Sequence, residues 1–348
     1  MAAKSYLRNF YVKKKNFFQH EHVKIIIVLI NCFISCSLFS QSSSALVTSA
    51  KTTALFQAIR SGSSDELNKQ FSTGADANDS LEGYSALMAA ALNGSTEQMK
   101  ILIEHGANVN HQNTNGITAL WLSVPDWDKT ILLLNHGADV NHQIEGYNVL
   151  SKLAAIPGSI NLFHLLVEKS AEIKNSAPKN FLLYNAASSG DTAIVGFLIR
   201  SGLNVNDSTT FGDYPINNAL TFRSFATLKM LVDNGANVNV HTMSVQTNFD
   251  ALVGFTPLIN AALFGDKRSF FYLIEHGADP NLKTKNGFTA LMLLQQSETI
   301  DDPEMTLALI NHGAIVSEKA KDGTDALFYA RKKGNTQSAE LLKKYANK

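Results

Sequence analysis

His105-Gly106-Ala107-Asn108-Val109-Asn110-His111-Gln112 returns about thirty residues later as His136-Gly137-Ala138-Asp139-Val140-Asn141-His142-Gln143, and the phrase recurs down most of the chain. Its glycine falls at Gly74, Gly106, Gly137, Gly202, Gly235, Gly277 and Gly313, with Ser170 standing in once, at spacings of 32, 31, 33, 32, 33, 42 and 36. Self-similarity at a period near 33 means stacked supersecondary units, none of which buries its apolar face alone. About nine such units fill residues 51–348, so one elongated domain replaces the two that a length of 348 would otherwise suggest.

Each unit carries its own start and stop signals. Ser85, Thr118 and Thr289 are placed to cap a first helix by accepting from its free backbone donors, and Pro215 and Pro257 suit a first turn that needs no donor. The pairs Ala90-Ala91 and Ala261-Ala262 let neighbouring helices approach closely. Leu102, Leu133, Leu166, Leu198, Leu231 and Leu273 supply the apolar stripe of a second helix and are expected in the core. The glycine that follows ends that helix in a left-handed conformation, and the Asn or Asp after it favours a turn.

These phrases resemble the ankyrin-repeat family from about Thr52 to Tyr345, most closely at Gly254-Phe255-Thr256-Pro257-Leu258-Ile259-Asn260-Ala261-Ala262 and Leu273-Ile274-Glu275-His276-Gly277-Ala278-Asp279-Pro280-Asn281. The resemblance implies an all-α solenoid of about nine helix-turn-helix repeats over 52–348, with projecting β-turn fingers and modified end repeats. The first repeat is expected to open near Ala54.

Residues 1–40 read as a signal peptide. Lys13, Lys14, Lys15 and Lys24 precede the apolar run Ile25 to Phe39, of about sixteen residues, shorter than the roughly 20 that span a bilayer. Cleavage near Ser40 would leave a flexible Ser/Ala leader over 41–51 and a periplasmic or secreted protein, with lipidation at Cys36 the weaker reading. Cys32 and Cys36 are the only cysteines, so the processed chain would hold neither disulfide nor thiolate ligand.

The full chain has 30 basic and 30 acidic residues, but the part after residue 40 has 24 and 29, a net charge of −5. No sustained basic stripe follows, which argues against nucleic acid as partner. Arg331, Lys332, Lys333, Lys343 and Lys344 on the last repeat read as a solvated cap. There is no Gly-x-Ser-x-Gly elbow, phosphate-cradling loop or His-Glu-x-x-His, so no catalytic residue is assigned and no enzyme activity expected. The in-register His105, His111, His136 and His142 are read as helix-end and finger residues rather than metal ligands, and no metal or cofactor is expected.

What remains is a binding surface. The family resemblance implies a non-catalytic scaffold, a monomer in the bacterial cell envelope that holds a protein partner on its finger tips and concave face. The alternatives are an enzyme or small-ligand or metal binder using the same face, and an immunity- or effector-type ankyrin protein. Candidate partner-binding residues are the tip aromatics Tyr84, Tyr147, Phe211, Phe255 and Phe288, together with Met243, Val245 and Phe249 on a finger lengthened by about ten residues between Asn239 and Gly254. Tip aromatics can also fold onto the neighbouring finger. The inward row on the first helices is expected at Ala89, Leu122, Lys152, Asn185, Asn218, Asn260, Leu293 and Tyr329, with Trp121 in the core. Pro125 should shorten the first helix of the third repeat and set Trp127 in a turn.

Overall fold

The side chains read as caps act as caps. Ser85 accepts from the Met88 amide, Thr118 from Trp121, Thr256 from Ile259 and Thr289 from Met292, while Pro215 and Pro257 occupy first-turn positions. The computed structural model describes residues 49–144, 147–169, 181–209, 212–242, 254–297 and 301–346. Within them lie 18 helices in nine antiparallel pairs and one two-stranded hairpin. The signal-peptide reading of residues 1–40 lies outside the described residues.

Contacts divide the chain into two compact units, 1–144 and 145–348. In the first unit, repeat 1 pairs α1 (Ala50–Ser61) with α2 (Ser64–Ser72), and repeat 2 pairs α3 (Ala86–Asn93) with α4 (Thr96–Glu104). Between them the finger closes as β1 (Ser80–Leu81) and β2 (Tyr84–Ser85), with Leu81 opposite Tyr84. Repeat 3 pairs α5 (Ala119–Ser123) with α6 (Trp127–Asn135). Two expectations shift here. Helix α1 begins at Ala50 under a Ser49 cap, four residues before Ala54, so the last residues of the 41–51 leader are helical. Pro125 does shorten α5, but Trp127 opens α6 behind an Asp126 cap rather than sitting in the turn, and is 44% exposed.

The second unit continues with α7 (Val149–Ala154) and α8 (Ile160–Glu168), then α9 (Phe181–Ser189) and α10 (Thr192–Arg200). Repeat 6 is α11 (Pro215–Thr221) with α12 (Phe225–Asp233), and repeat 7 is α13 (Pro257–Phe264) with α14 (Lys267–Glu275). Repeats 8 and 9 are α15 (Ala290–Leu294) with α16 (Pro303–Asn311), and α17 (Ala326–Lys333) with α18 (Thr336–Tyr345).

Leu102, Leu133, Leu166, Leu198, Leu231 and Leu273 are all fully buried, as the second-helix stripe requires. Beside them runs a column of polar residues near the start of those helices, Gln98, Thr130, Thr227, Ser269, Thr306 and Ser338, each no more than 1% exposed. They are not orphaned: Gln98 donates to the Ala58 and Ile59 carbonyls, Thr130 bonds Ser123, and Thr306 bonds Ser338. Burying a hydroxyl is tolerable when it is paired in this way.

The repeat phrase ties fingers together. After the left-handed glycine, for example Gly235 at φ 86°, the next Asx side chain accepts from the amide two residues on, as Asn237 does from Asn239. The final Asn then clips the following finger. In the first unit Asn78 donates to the Gly106 carbonyl (3.0 Å) and accepts from the Asn108 amide, and Asn110 treats Gly137 and Asp139 the same way. In the second unit Asn206 clips Gly235 and Asn237, Asn239 clips Gly277 and Asp279, and Asn281 clips Gly313 and Ile315.

Candidate functional site

The finger-tip aromatics are less open than the sequence implied. Phe255 is only 8% exposed and the equivalent Ile117 only 7%. Tyr84, Tyr147 and Phe288 are half-buried. Tyr147 meets Phe181 at a ring separation of 4.4 Å, and Phe288 meets Tyr329 at 6.1 Å. Each of these two rings thus leans on the first helix of the next repeat, not on the neighbouring finger. Such rings lose apolar area to solvent when they project, so folding back is the favoured state. Phe211, Met243, Val245 and Phe249 lie outside the described residues.

The base of the lengthened finger is nevertheless defined. In an ordinary finger Thr284 pairs by its backbone with Phe288, accepts from the Gly287 amide, and takes the Phe288 amide on its hydroxyl. Thr242 makes the same three bonds to Phe255 and Gly254, although its partners lie a dozen residues away. The base of this finger thus keeps the hydrogen bonds of an ordinary one.

Two expectations about the inner row also change. Trp121 is half-buried rather than core, while Leu122, placed on the inward row, is only 6% exposed; an indole is seldom wholly covered. Asn218, Asn260, Leu293 and Tyr329 are likewise buried. The asparagines link repeats: Asn185 Nδ2 donates to the Ser151 carbonyl (2.9 Å), and Asn218 Nδ2 to the Tyr184 carbonyl (2.6 Å).

The same face of repeats 4 to 6 holds the most perturbed ionisable groups among the described residues. Burial pulls the Lys152 amine, on α7, down to about 8. Burial pushes the Tyr184 hydroxyl, on α9, well above the ordinary phenol range, and the Asp213 carboxylate and Tyr147 phenol push it further. Tyr147, Tyr184 and Asp213 thus form one electrostatically linked group around the aromatic pair Tyr147–Phe181, with Tyr184 edge-on to Phe181 at 6.4 Å, and Lys152 lies on the inner row of the same repeats. Desolvated charge beside aromatic surface is the composition from which binding hot spots are built. Sequence reasoning named Tyr147 and Lys152 separately. It had no signal for the coupling of Tyr184 to Tyr147 and Asp213, because Asp213 enters from a different finger.

The histidines do what helix-end residues do. Nδ1 of His136, His276 and His312 donates to the carbonyl four residues earlier, at 2.8, 2.7 and 2.9 Å, and His105 stacks on Phe71 at 4.0 Å. His142 Nε2 lies 2.6 Å from the Gly116 carbonyl. Among the described residues no group of three His, Cys, Asp or Glu is arranged to hold a metal, and no helix is long and apolar enough to cross a membrane. On the last repeat Lys332 lies over Phe328, the ammonium 5.0 Å from the ring centre, beside a shallow groove edged by Asp322, Asp325 and Arg331.

A family model described as ankyrin repeats in three copies matches residues 55–144, 150–242, 183–284 and 258–348. The chain belongs to the ankyrin-repeat family. It is an all-α repeat solenoid, of a family that is typically non-catalytic and mediates protein–protein interaction. It is also 25% identical over 221 residues to an ankyrin repeat protein of Acanthamoeba polyphaga mimivirus, an alignment covering 60% of this chain and 27% of the viral protein. The chain therefore spans about a quarter of that relative's length.

Proposed function

We propose that this ankyrin-repeat protein is a non-catalytic scaffold of the bacterial cell envelope that docks a protein partner on the inner face of repeats 4 to 6. The observation that carries the reading is the coupling of Tyr147, Tyr184 and Asp213 around the Tyr147–Phe181 ring pair, in repeats whose inner row also holds the desolvated Lys152 amine. The envelope assignment rests on the signal-peptide pattern of residues 1–40. A single protomer is the expected unit.

The test is capture from an envelope extract of the source organism by three forms of the protein: wild type, Tyr147→Ala/Lys152→Ala, and a form lacking residues 243–252. A protein retained by the wild type and lost from the double variant, at unchanged melting temperature, supports the inner-face site. Loss only from the shortened finger moves the site to the finger. Equal retention by all three refutes both locations.

A further inference from the structure

Among the described residues four buried side-chain polar atoms have no hydrogen-bond partner, and three of them belong to two asparagines of adjacent repeats: Asn217 Nδ2 and Oδ1, and Asn260 Oδ1. Asn217 is 5% exposed and Asn260 7%. Both lie on first helices, α11 and α13. The register of the inner row shows how unusual this is. In repeats 5 and 6 the row asparagine donates to the carbonyl of the preceding repeat, Asn185 to Ser151 and Asn218 to Tyr184. By the same register Asn260 faces the Asn217 carbonyl, but that carbonyl accepts from the Thr221 hydroxyl of its own helix, at 2.9 Å.

In repeats 2, 7 and 8 the position of Asn217 is held by Met88, Ile259 and Met292, each no more than 1% exposed, and in repeats 3, 4, 5 and 9 by Trp121, Ser151, Tyr184 and Phe328. An unpaired buried carboxamide there favours any state in which water can reach it. The opposite side of the same junction is tightly held. Phe225 on α12 meets Tyr272 on α14 edge-on at 5.4 Å, and the Arg268 guanidinium lies 3.9 Å from the Phe225 ring centre. The Tyr272 hydroxyl donates to Asp233 at 2.7 Å, and Asp233 is paired with Lys229 at 2.7 Å. The Asn239 clip fixes the finger side.

We infer that the junction of repeats 6 and 7 is a hinge: the inner helices α11 and α13 part to hydrate Asn217 and Asn260, while the Phe225–Arg268–Tyr272–Asp233 strap on the outer helices stays closed. A junction sealed on two sides and under-satisfied on the third opens in one direction only. The hinge changes the curvature of the inner face within the second unit, and it does not depend on what that face binds.

Hydrogen exchange of the full chain, without any partner, tests it. The amides of 215–221 and 257–264 should exchange at least tenfold faster than those of 181–189, which occupy the same place one repeat earlier. Those of 225–233 and 267–275 should remain as protected as the outer helix over 192–200. Asn217→Met, the residue type of repeats 2 and 8, should slow exchange at the junction about tenfold and leave 181–189 unchanged. Asn260→Leu, matching Leu122 and Leu293, should do the same if the first variant fails to fold. Inner helices no faster than 181–189 in the wild type, variants without effect, or outer helices opening together with the inner ones would each overturn the hinge.

Discussion

Replacing Lys152 by Met should stabilise the protein at neutral pH, and the gain should fade as pH rises. Burial lowers the amine from 10.5 to about 8 in the folded state. At about 1.4 kcal/mol per tenfold change in proton affinity, that difference amounts to roughly 3 kcal/mol of lost folding stability. The side chain keeps some contact with solvent, which screens the effect, so a gain of about 1–3 kcal/mol is expected from the variant. The sign follows from proton counting. Below pH 8 both folded and unfolded chains carry the proton and the folded state bears the whole cost. Between 8 and 10.5 the folded amine gives up its proton while the unfolded one keeps it, so stability of the wild type rises with pH. Met preserves the apolar stem and removes the charge. Urea denaturation of both proteins at pH 7 and pH 10 measures the gap, which should shrink to under about 1 kcal/mol at the higher pH. Tyr184 titrates in both proteins and cancels in the comparison. A variant less stable than wild type at pH 7, or a gap that ignores pH, would show that the contacts of Lys152 outweigh the cost of burying its charge.

Phe255→Ala should cost about 3 kcal/mol in thermal or chemical denaturation because the ring is buried, whereas a freely projecting tip would show almost no change. Asn206→Ala removes two exposed hydrogen bonds, to the Gly235 carbonyl at 2.8 Å and from the Asn237 amide at 2.6 Å, and should cost about 1–2 kcal/mol; a loss below about 0.3 kcal/mol would mean that water replaces the clip. Chelator should leave the melting temperature unchanged, since the ring nitrogens of His136, His276 and His312 are directed to backbone carbonyls; a fall of several degrees would reveal a bound ion.

Much of the fold was legible in the sequence because its signals are local. A Ser or Thr cap, a first-turn proline and a left-handed glycine act on the backbone within four residues, so Ser85, Thr118, Thr289, Pro257 and Gly235 perform as read. The second-helix leucines were equally plain, since a buried stripe every repeat leaves few other places for them. The errors lie where burial is decided by the next repeat. Phe255 sits on an ordinary finger in sequence, and only stacking shows that it is covered. Leu122 and Trp121 exchange their expected environments across one residue. The coupling of Tyr184 to Asp213 and Tyr147 had no sequence signature, because three fingers or helices bring those groups together. The clip by Asn206 or Asn281 had no sequence signature for the same reason: its partners lie about thirty residues ahead.

The closed base at Thr242, Gly254 and Phe255 has a consequence for variation. Ordinary finger bases join residues four apart, whereas this one joins residues thirteen apart. Loop closure costs only about 0.6 kcal/mol for each doubling of length, so such an extension adds about 1 kcal/mol. Because the hydrogen bonds at the base are the same in both cases, the helices beneath receive the same restraint whatever the turn contains. Finger sequence and array geometry are thereby separable, and a turn at this site can be exchanged like a cartridge, for a lineage acquiring a new partner or an experimenter grafting one.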